Sequence, residues 1–288
     1  MLNFIDYVNF AESLLAIGCK CVSITMMCRL LFCANYQKNR LRVKKLSSTM
    51  HLYLITHCFL SITGLPYQVY KLVCFLPNIG TQNAASPLSP YVLFWTGIFD
   101  LSYSTSGSVP VIFLCLERCL IIIMSGFVTF RVRAVLFAFG LLTVLAAWLC
   151  SLYGFIVELP LDLKKVSQCM LVGCQVVKQL GAIPLLVKMV FGGIALVLSL
   201  IFLLMLSRHG NVANLKNRIV KWTIIAGILF DILPGYSTFI YNKLTGTSLS
   251  AYIGDLAVTL CAVDACICSL FYWLILTKKN SVNSASVN

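Results

Sequence analysis

Charge is what this sequence has least of. Of 288 residues only 11% are Asp, Glu, Lys or Arg and 60% are hydrophobic, whereas a soluble globular domain carries roughly 25% charged and about 45–50% apolar residues. A chain so poor in charge does not have water as its main solvent. Acidic groups are the scarcest, 9 against 22 basic residues, for a formal net charge of +13. Such an excess can mark a nucleic-acid partner, but the basic residues fall mostly in short loops between apolar runs, so no nucleic acid is expected. Histidine is nearly absent too. His51, His57 and His209 are scattered, with no paired carboxylates and no glycine-rich phosphate loop around them, which argues against an enzyme. No two cysteines have the CxxC spacing of zinc or redox sites, so neither a metal nor another cofactor is expected. The chain has no Asn-x-Ser/Thr sequon, no internal repeat and no low-complexity tract. It also lacks the basic segment that opens a signal peptide, the first basic residue being Lys20, and the first apolar segment is therefore expected to stay as a helix.

Long apolar runs are what the chain has in quantity. A helix needs about 20 apolar residues to cross the hydrocarbon core. On that rule spans are expected at Ala11 to Tyr36, Met50 to Phe75, Tyr91 to Met124, Arg133 to Val157, Gly181 to Ser207, Ile219 to Asn242 and Ser250 to Leu276. The run ALVLSLIFLLML, Ala195 to Leu206, is apolar throughout apart from one serine, unlike the alternation over about ten residues of a membrane β-strand. The expectation is an all-α membrane protein: one domain over residues 1–288, a seven-transmembrane helix bundle with a short tail at 277–288. Most of the 14 cysteines lie inside these runs, where the residue behaves as a small hydrophobe.

Cytoplasmic loops carry the excess of Lys and Arg. The first connection, QKNRLRVKK, is basic throughout, and the loop from Leu76 to Pro90 has no basic residue. With the later alternate loops, the tail and Arg118, one side collects 14 basic residues, against Lys71, Lys164, Lys165, Lys178 and Lys243 on the other. The rule places the N-terminus outside and the C-terminus in the cytoplasm. Topology accounts for most of the charge, with anionic membrane lipids or an acidic cytoplasmic partner as additional contacts.

Within one of the most apolar stretches, CLERCLIII at Cys115 to Ile123, a glutamate and an arginine stand side by side. Charges in membrane segments are costly and usually face a bundle interior or the interface, and at the inner end of a span Arg118 can snorkel towards water as a plain anchor. The triplet Glu117-Arg118-Cys119 also resembles the acidic-Arg-aromatic triplet that ends the third helix of seven-helix receptors coupled to G proteins, with cysteine in place of the aromatic. Trp148 matches a tryptophan typical of the fourth helix. Pro234, in FDILPGY, would kink the sixth span by removing a backbone hydrogen bond. The seventh, DACICSLFYWLIL, has Tyr272 after Asp264 but no Asn-Pro pair, and no cysteine opens the third span. Together with VPVIFLCLERCLIII, KNRIVKWTIIAGILFDILPGYSTFIYN and SLSAYIGDLAVTLCAVDACICSLFY, these features make the chain resemble the nematode serpentine chemoreceptors, in particular the Srbc group. The resemblance covers most of the chain from the third span onward. It implies an olfactory type of receptor for small environmental molecules, in the plasma membrane of sensory-neuron cilia, signalling through a heterotrimeric G protein. It further implies that Glu117, Arg118 and Pro234 form the switch, the arginine being held at rest by its neighbour or by the sixth helix.

A ligand entering from outside would meet the outer half of the bundle. At about 1.5 Å per residue, Asp100 lies about 13 Å below the outer end of the third span and Lys188 about 10 Å below that of the fifth; Asp255 is near the outer end of the seventh. Lys20, Asp231 and Asp264 complete the intramembrane charges. Mutual pairing, such as Lys188 with Asp100, would relieve their burial; contact with a small-molecule ligand is the alternative. Tyr91, Trp95, Tyr103 and Tyr236 either line that pocket or belong to interfacial belts. Cys169 and Cys174, in SQCMLVGCQ, and Cys74 are the disulfide candidates, with the pairing left open. A transporter using Lys188, Asp231 and Asp264 as a relay is the rival reading, although the chain lacks the inverted repeat of that class. A ligand-gated channel is the other, but insect channels of this type have the opposite orientation.

Overall fold

A computed structural model of the chain describes residues 4–36, 46–75, 90–124, 129–157, 159–160, 172, 182–209, 215–246, 249 and 253–277. Helices account for nearly all of it: α1 (Phe4–Tyr36), α2 (Ser48–Phe75), α3 (Pro90–Ser106), α4 (Val109–Ile123), α5 (Phe130–Ile156), α6 (Ala182–His209), α7 (Leu215–Gly227), a π turn (Ile228–Ile232), α8 (Leu233–Thr245) and α9 (Leu256–Thr277). Six stretches are long and apolar enough to cross a membrane: Tyr7–Phe32, Tyr91–Ile123, Phe130–Ile156, Ile183–Arg208, Asn217–Thr245 and Leu256–Leu274. The chain is an all-helical membrane protein. Its first helix begins at Phe4, seven residues before the expected start at Ala11.

The helices close into a ring in chain order. α1 lies between α2 and α9, α2 against α3 and α4, α6 against α4 and α5, and α9 against α7, the π turn and α8. α3 and α4 form one rod, interrupted at Gly107 because Pro110 offers no N–H to the preceding turn. This rod runs through the middle: 72% of its most apolar window is buried, against 28% for α1, α5 and α6. Those outer helices expose their apolar side chains instead, among them Leu142, Leu149, Val190 and Leu204. An apolar belt of that extent is what lipid requires and water penalises.

Polarity is therefore turned inward. Every acidic side chain that the structure describes, Glu12, Asp100, Glu117, Asp231, Asp255 and Asp264, is buried. α2 shows the same inversion. Ile55, Phe59, Ile62, Val69 and Val73 make an exposed apolar stripe at helical spacing, while Thr49, Thr56, His57, Ser61, Gln68 and Lys71 are buried. That polar face is why α2, although 28 residues long, is not among the six most apolar stretches. Helix hydroxyls are satisfied locally, as where Ser13 and Ser23 donate to the carbonyls of Asn9 and Cys19, the usual solution when no water is at hand.

The π turn has a local cause. Pro234 has no N–H, so the preceding turn cannot close in the α-helical way, and Leu233 N–H reaches back five residues to the Ile228 carbonyl. The extra residue carries Asp231 to the interior.

Candidate functional site

At one end of the bundle α3, α5, α6, α8 and the start of α9 surround a cavity of about 390 Å³. Its wall is mostly apolar, with Leu101, Phe155 and Pro234 among the lining residues, and the polar points come from Lys188, Asn242 and Asp255 together with Ser104, Thr105, Ser237 and Thr238. This is the composition of a small-molecule site: an apolar container with a few fixed polar groups. Of the residues singled out from the sequence, Lys188, Pro234 and Asp255 line it. Asp100, Trp95, Tyr103 and Tyr236 are not among its lining residues. Trp95 is 44% exposed on the outer surface, as is Tyr91. Tyr103 is enclosed and hydrogen-bonded to His57 Nδ1 at 3.0 Å, and Tyr236 donates to the Met189 carbonyl at 3.1 Å.

The buried charges pair, but not in the combination expected. Lys188 meets Asp231 of the π turn at 2.9 Å, and Asp100 is bound by Lys20 of α1 and by the Gln68 amide at 2.7 Å. The Lys188–Asp100 pairing is thus corrected: Asp100 sits on the side of α3 that faces α1 and α2, and Lys188 sits where α6 faces the π turn and α8. Each lysine head rests where a glycine has no side chain. An alanine methyl at Gly64 would collide with the Lys20 ammonium and the Asp100 carboxylate, and one at Gly235 would collide with Lys188 Cε. A third ion pair, Lys71 with Asp255 at 3.3 Å, is strengthened by the Tyr67 hydroxyl donating to the same carboxylate oxygen at 2.5 Å. Asp264 is buried near the bundle centre and accepts from the Cys268 thiol.

Glu117 and Arg118 lie at the opposite end. α2 defines the separation, because its first turn touches Arg118 while Lys71, near its other end, touches Asp255; 24 residues of helix make about 36 Å. Arg118 donates to the Ser47 hydroxyl at 2.9 Å and approaches the Met50 sulfur at 3.7 Å. Ser47 also caps α2, its hydroxyl accepting the Met50 N–H at 3.4 Å, so the arginine is fastened to a helix cap. Glu117 accepts the Thr49 hydroxyl and faces Arg133 of α5 at 3.6 Å. Among the described residues Arg118 forms no ion pair, although the charge of Glu117 acts on it. Adjacent residues on a helix point about 100° apart and do not face each other.

Several residues of these networks escaped the sequence reading: Ser47, Thr49, Tyr67, Gln68 and Arg133. For those on α2 a signal was present, since Thr49, Tyr53, His57, Ser61, Gln68 and Lys71 recur at helical spacing. Cys169 and Cys174 lie outside the described residues, as does the side chain of Cys74. Among the described residues no group of three or more His, Cys, Asp or Glu side chains is placed to hold a metal ion. No protein-family model matches the chain, and no curated protein does.

Proposed function

We propose that the chain is a seven-helix receptor that binds a small molecule in the cavity and activates a heterotrimeric G protein at the Arg118 end. In this reading α2 is the seventh span, its apolar stripe facing lipid, and the basic connections place the Arg118 end in the cytoplasm and the N-terminus outside. The observation that carries the proposal is the join between cavity and π turn. Lys188 and Pro234 are part of the cavity wall, Lys188 is tied to Asp231, and Asp231 sits in the turn joining α8 to α7. A ligand that changes the Lys188–Asp231 contact changes the balance between two settings of that turn. α7 packs against α4, the helix of Arg118, so the shift reaches the far end. Ligand and partner then bias one equilibrium from opposite ends. The likeness to nematode serpentine receptors of the Srbc group, with a place in the plasma membrane of sensory-neuron cilia, is part of the same proposal.

The test is G-protein activation in cells expressing the chain, screened with small volatile and secreted compounds. Arg118→Ala is expected to abolish the response while surface expression is kept. A response unchanged in that variant removes Arg118 from the mechanism. Currents or substrate uptake independent of a G protein would replace the receptor with a channel or transporter using the buried charges.

A further inference from the structure

The polar groups on the cavity wall are already largely committed. Lys188 and Asp255 are the only charged residues among those that line it, and each faces an opposite charge, Asp231 at 2.9 Å and Lys71 at 3.3 Å. The Asp255 carboxylate also takes the Tyr67 hydroxyl. A ligand with a full charge of either sign would have to break one of these pairs or keep its own charge uncompensated in an apolar container, and either is costly.

The hydroxyl protons are spent as well. Ser104, Ser237 and Thr238 donate to carbonyls of their own helices, those of Leu101, Leu233 and Pro234, at 3.0, 2.9 and 2.9 Å. Thr105 is engaged with the Ser102 carbonyl and the Ser151 hydroxyl. Protons to spare remain on two lining side chains. An ammonium has three N–H donors, and Asp231 is the one ion-pair partner of Lys188 among the described residues. Asn242 Oδ1 accepts the Leu249 N–H at 2.9 Å, which leaves its amide nitrogen as the free end. The Lys188 head rests on Gly235, itself a lining residue, and Gly235, Thr238 and Asn242 follow at i, i+3 and i+7 along one face of α8. Lys188 is the stronger donor of the two because it is charged.

We propose that the ligand is a small neutral carbonyl compound, a ketone or an ester, whose oxygen accepts a hydrogen bond from the Lys188 ammonium while its hydrocarbon part fills the apolar remainder of the cavity. A carbonyl brings an acceptor and no donor, so burial leaves none of its own groups unsatisfied. An alcohol accepts equally well but must also place its proton, and a hydrocarbon leaves the Lys188 donor unused. The inference rests on the cavity being the ligand site and names the chemical class of that ligand.

Binding is measured on the full chain in lipid nanodiscs, by thermal unfolding and by titration. The probes are 2-nonanone, methyl octanoate and acetophenone, set against nonane, 2-nonanol, nonanoic acid and nonylamine. At least one carbonyl compound is expected to raise the unfolding midpoint more than any of the others. Lys188→Met is expected to weaken that compound by roughly tenfold or more, the scale of a hydrogen bond to a charged group, while leaving nonane unchanged. This difference removes any general effect on the bilayer. If that variant does not fold, Lys188→Met combined with Asp231→Asn, which leaves no unpaired charge, supplies the same comparison. The proposal is overturned if no carbonyl compound exceeds nonane, which would leave the Lys188 donors to bound water, or if the alcohol, acid or amine exceeds them all. It is also overturned if the carbonyl response survives the loss of Lys188. Carbonyl binding that depends on Lys188 but brings no G-protein activation would remove the receptor reading alone; activation by an acid or an amine and by no carbonyl compound would remove the carbonyl inference alone.

Discussion

Lys20 and Lys188 each meet an aspartate inside the bundle, but their surroundings differ. Lys20 and Asp100 are fully enclosed between α1, α2 and α3, with the Gln68 amide as a further donor to the carboxylate and the Tyr103 ring 5.8 Å from the ammonium. Lys188 and Asp231 retain 8% and 7% exposure, and Lys188 lies on a cavity wall. A sealed pair has one arrangement, since any displacement leaves an uncompensated charge in an apolar medium. A pair beside a cavity has an alternative, because water or a ligand can take over one of its contacts. The first fixes how three helices register; the second is available to be changed, and its aspartate stands in the π turn.

The largest effect is expected from breaking the sealed pair. Asp100→Ala leaves the Lys20 ammonium buried without a carboxylate and should cost about 3–5 kcal/mol, seen as loss of folded monomer in size-exclusion chromatography. Lys188→Met should cost less, about 1–3 kcal/mol, the range for a buried polar group that loses its partner, because Asp231 is left next to a cavity that water can enter. Equal losses of melting temperature in the two variants would erase the distinction. The glycines beneath the two pairs offer a finer comparison. Gly64→Ala drives a methyl into both members of the sealed pair and should destabilise by about 1–3 kcal/mol. Gly235→Ala meets only the Lys188 chain, which can move into the cavity, so its melting temperature should stay close to that of the unaltered protein.

Much of the architecture was legible because lipid imposes a simple rule on sequence. Runs of apolar residues marked where the helices lie, and the observed elements depart from those limits mainly at their ends, as at Phe4. Pro234 announced a disturbed sixth helix, since a missing N–H is a property of the residue itself. Its form, a π turn that carries Asp231 inward, was not legible, because it depends on which carbonyl the Leu233 N–H finds instead.

Composition and hydropathy by themselves determined that the chain is an all-helical membrane protein, and the acids in its apolar runs had to find partners there. Which partners they found was decided only by the tertiary structure. Asp100 took Lys20 rather than Lys188, the Arg118 guanidinium came to donate to the cap of α2, and Asn9 and Glu12 were brought together beside Gly254, 242 positions away from Glu12 in the chain. Hydropathy reports how each residue partitions between water and lipid, one residue at a time. Pairing depends on the rotation of each helix about its axis, and a change of one residue turns a side chain by about 100°. That rotation is set by packing against neighbours, as where Gly64 and Gly235 make room for the two lysine heads.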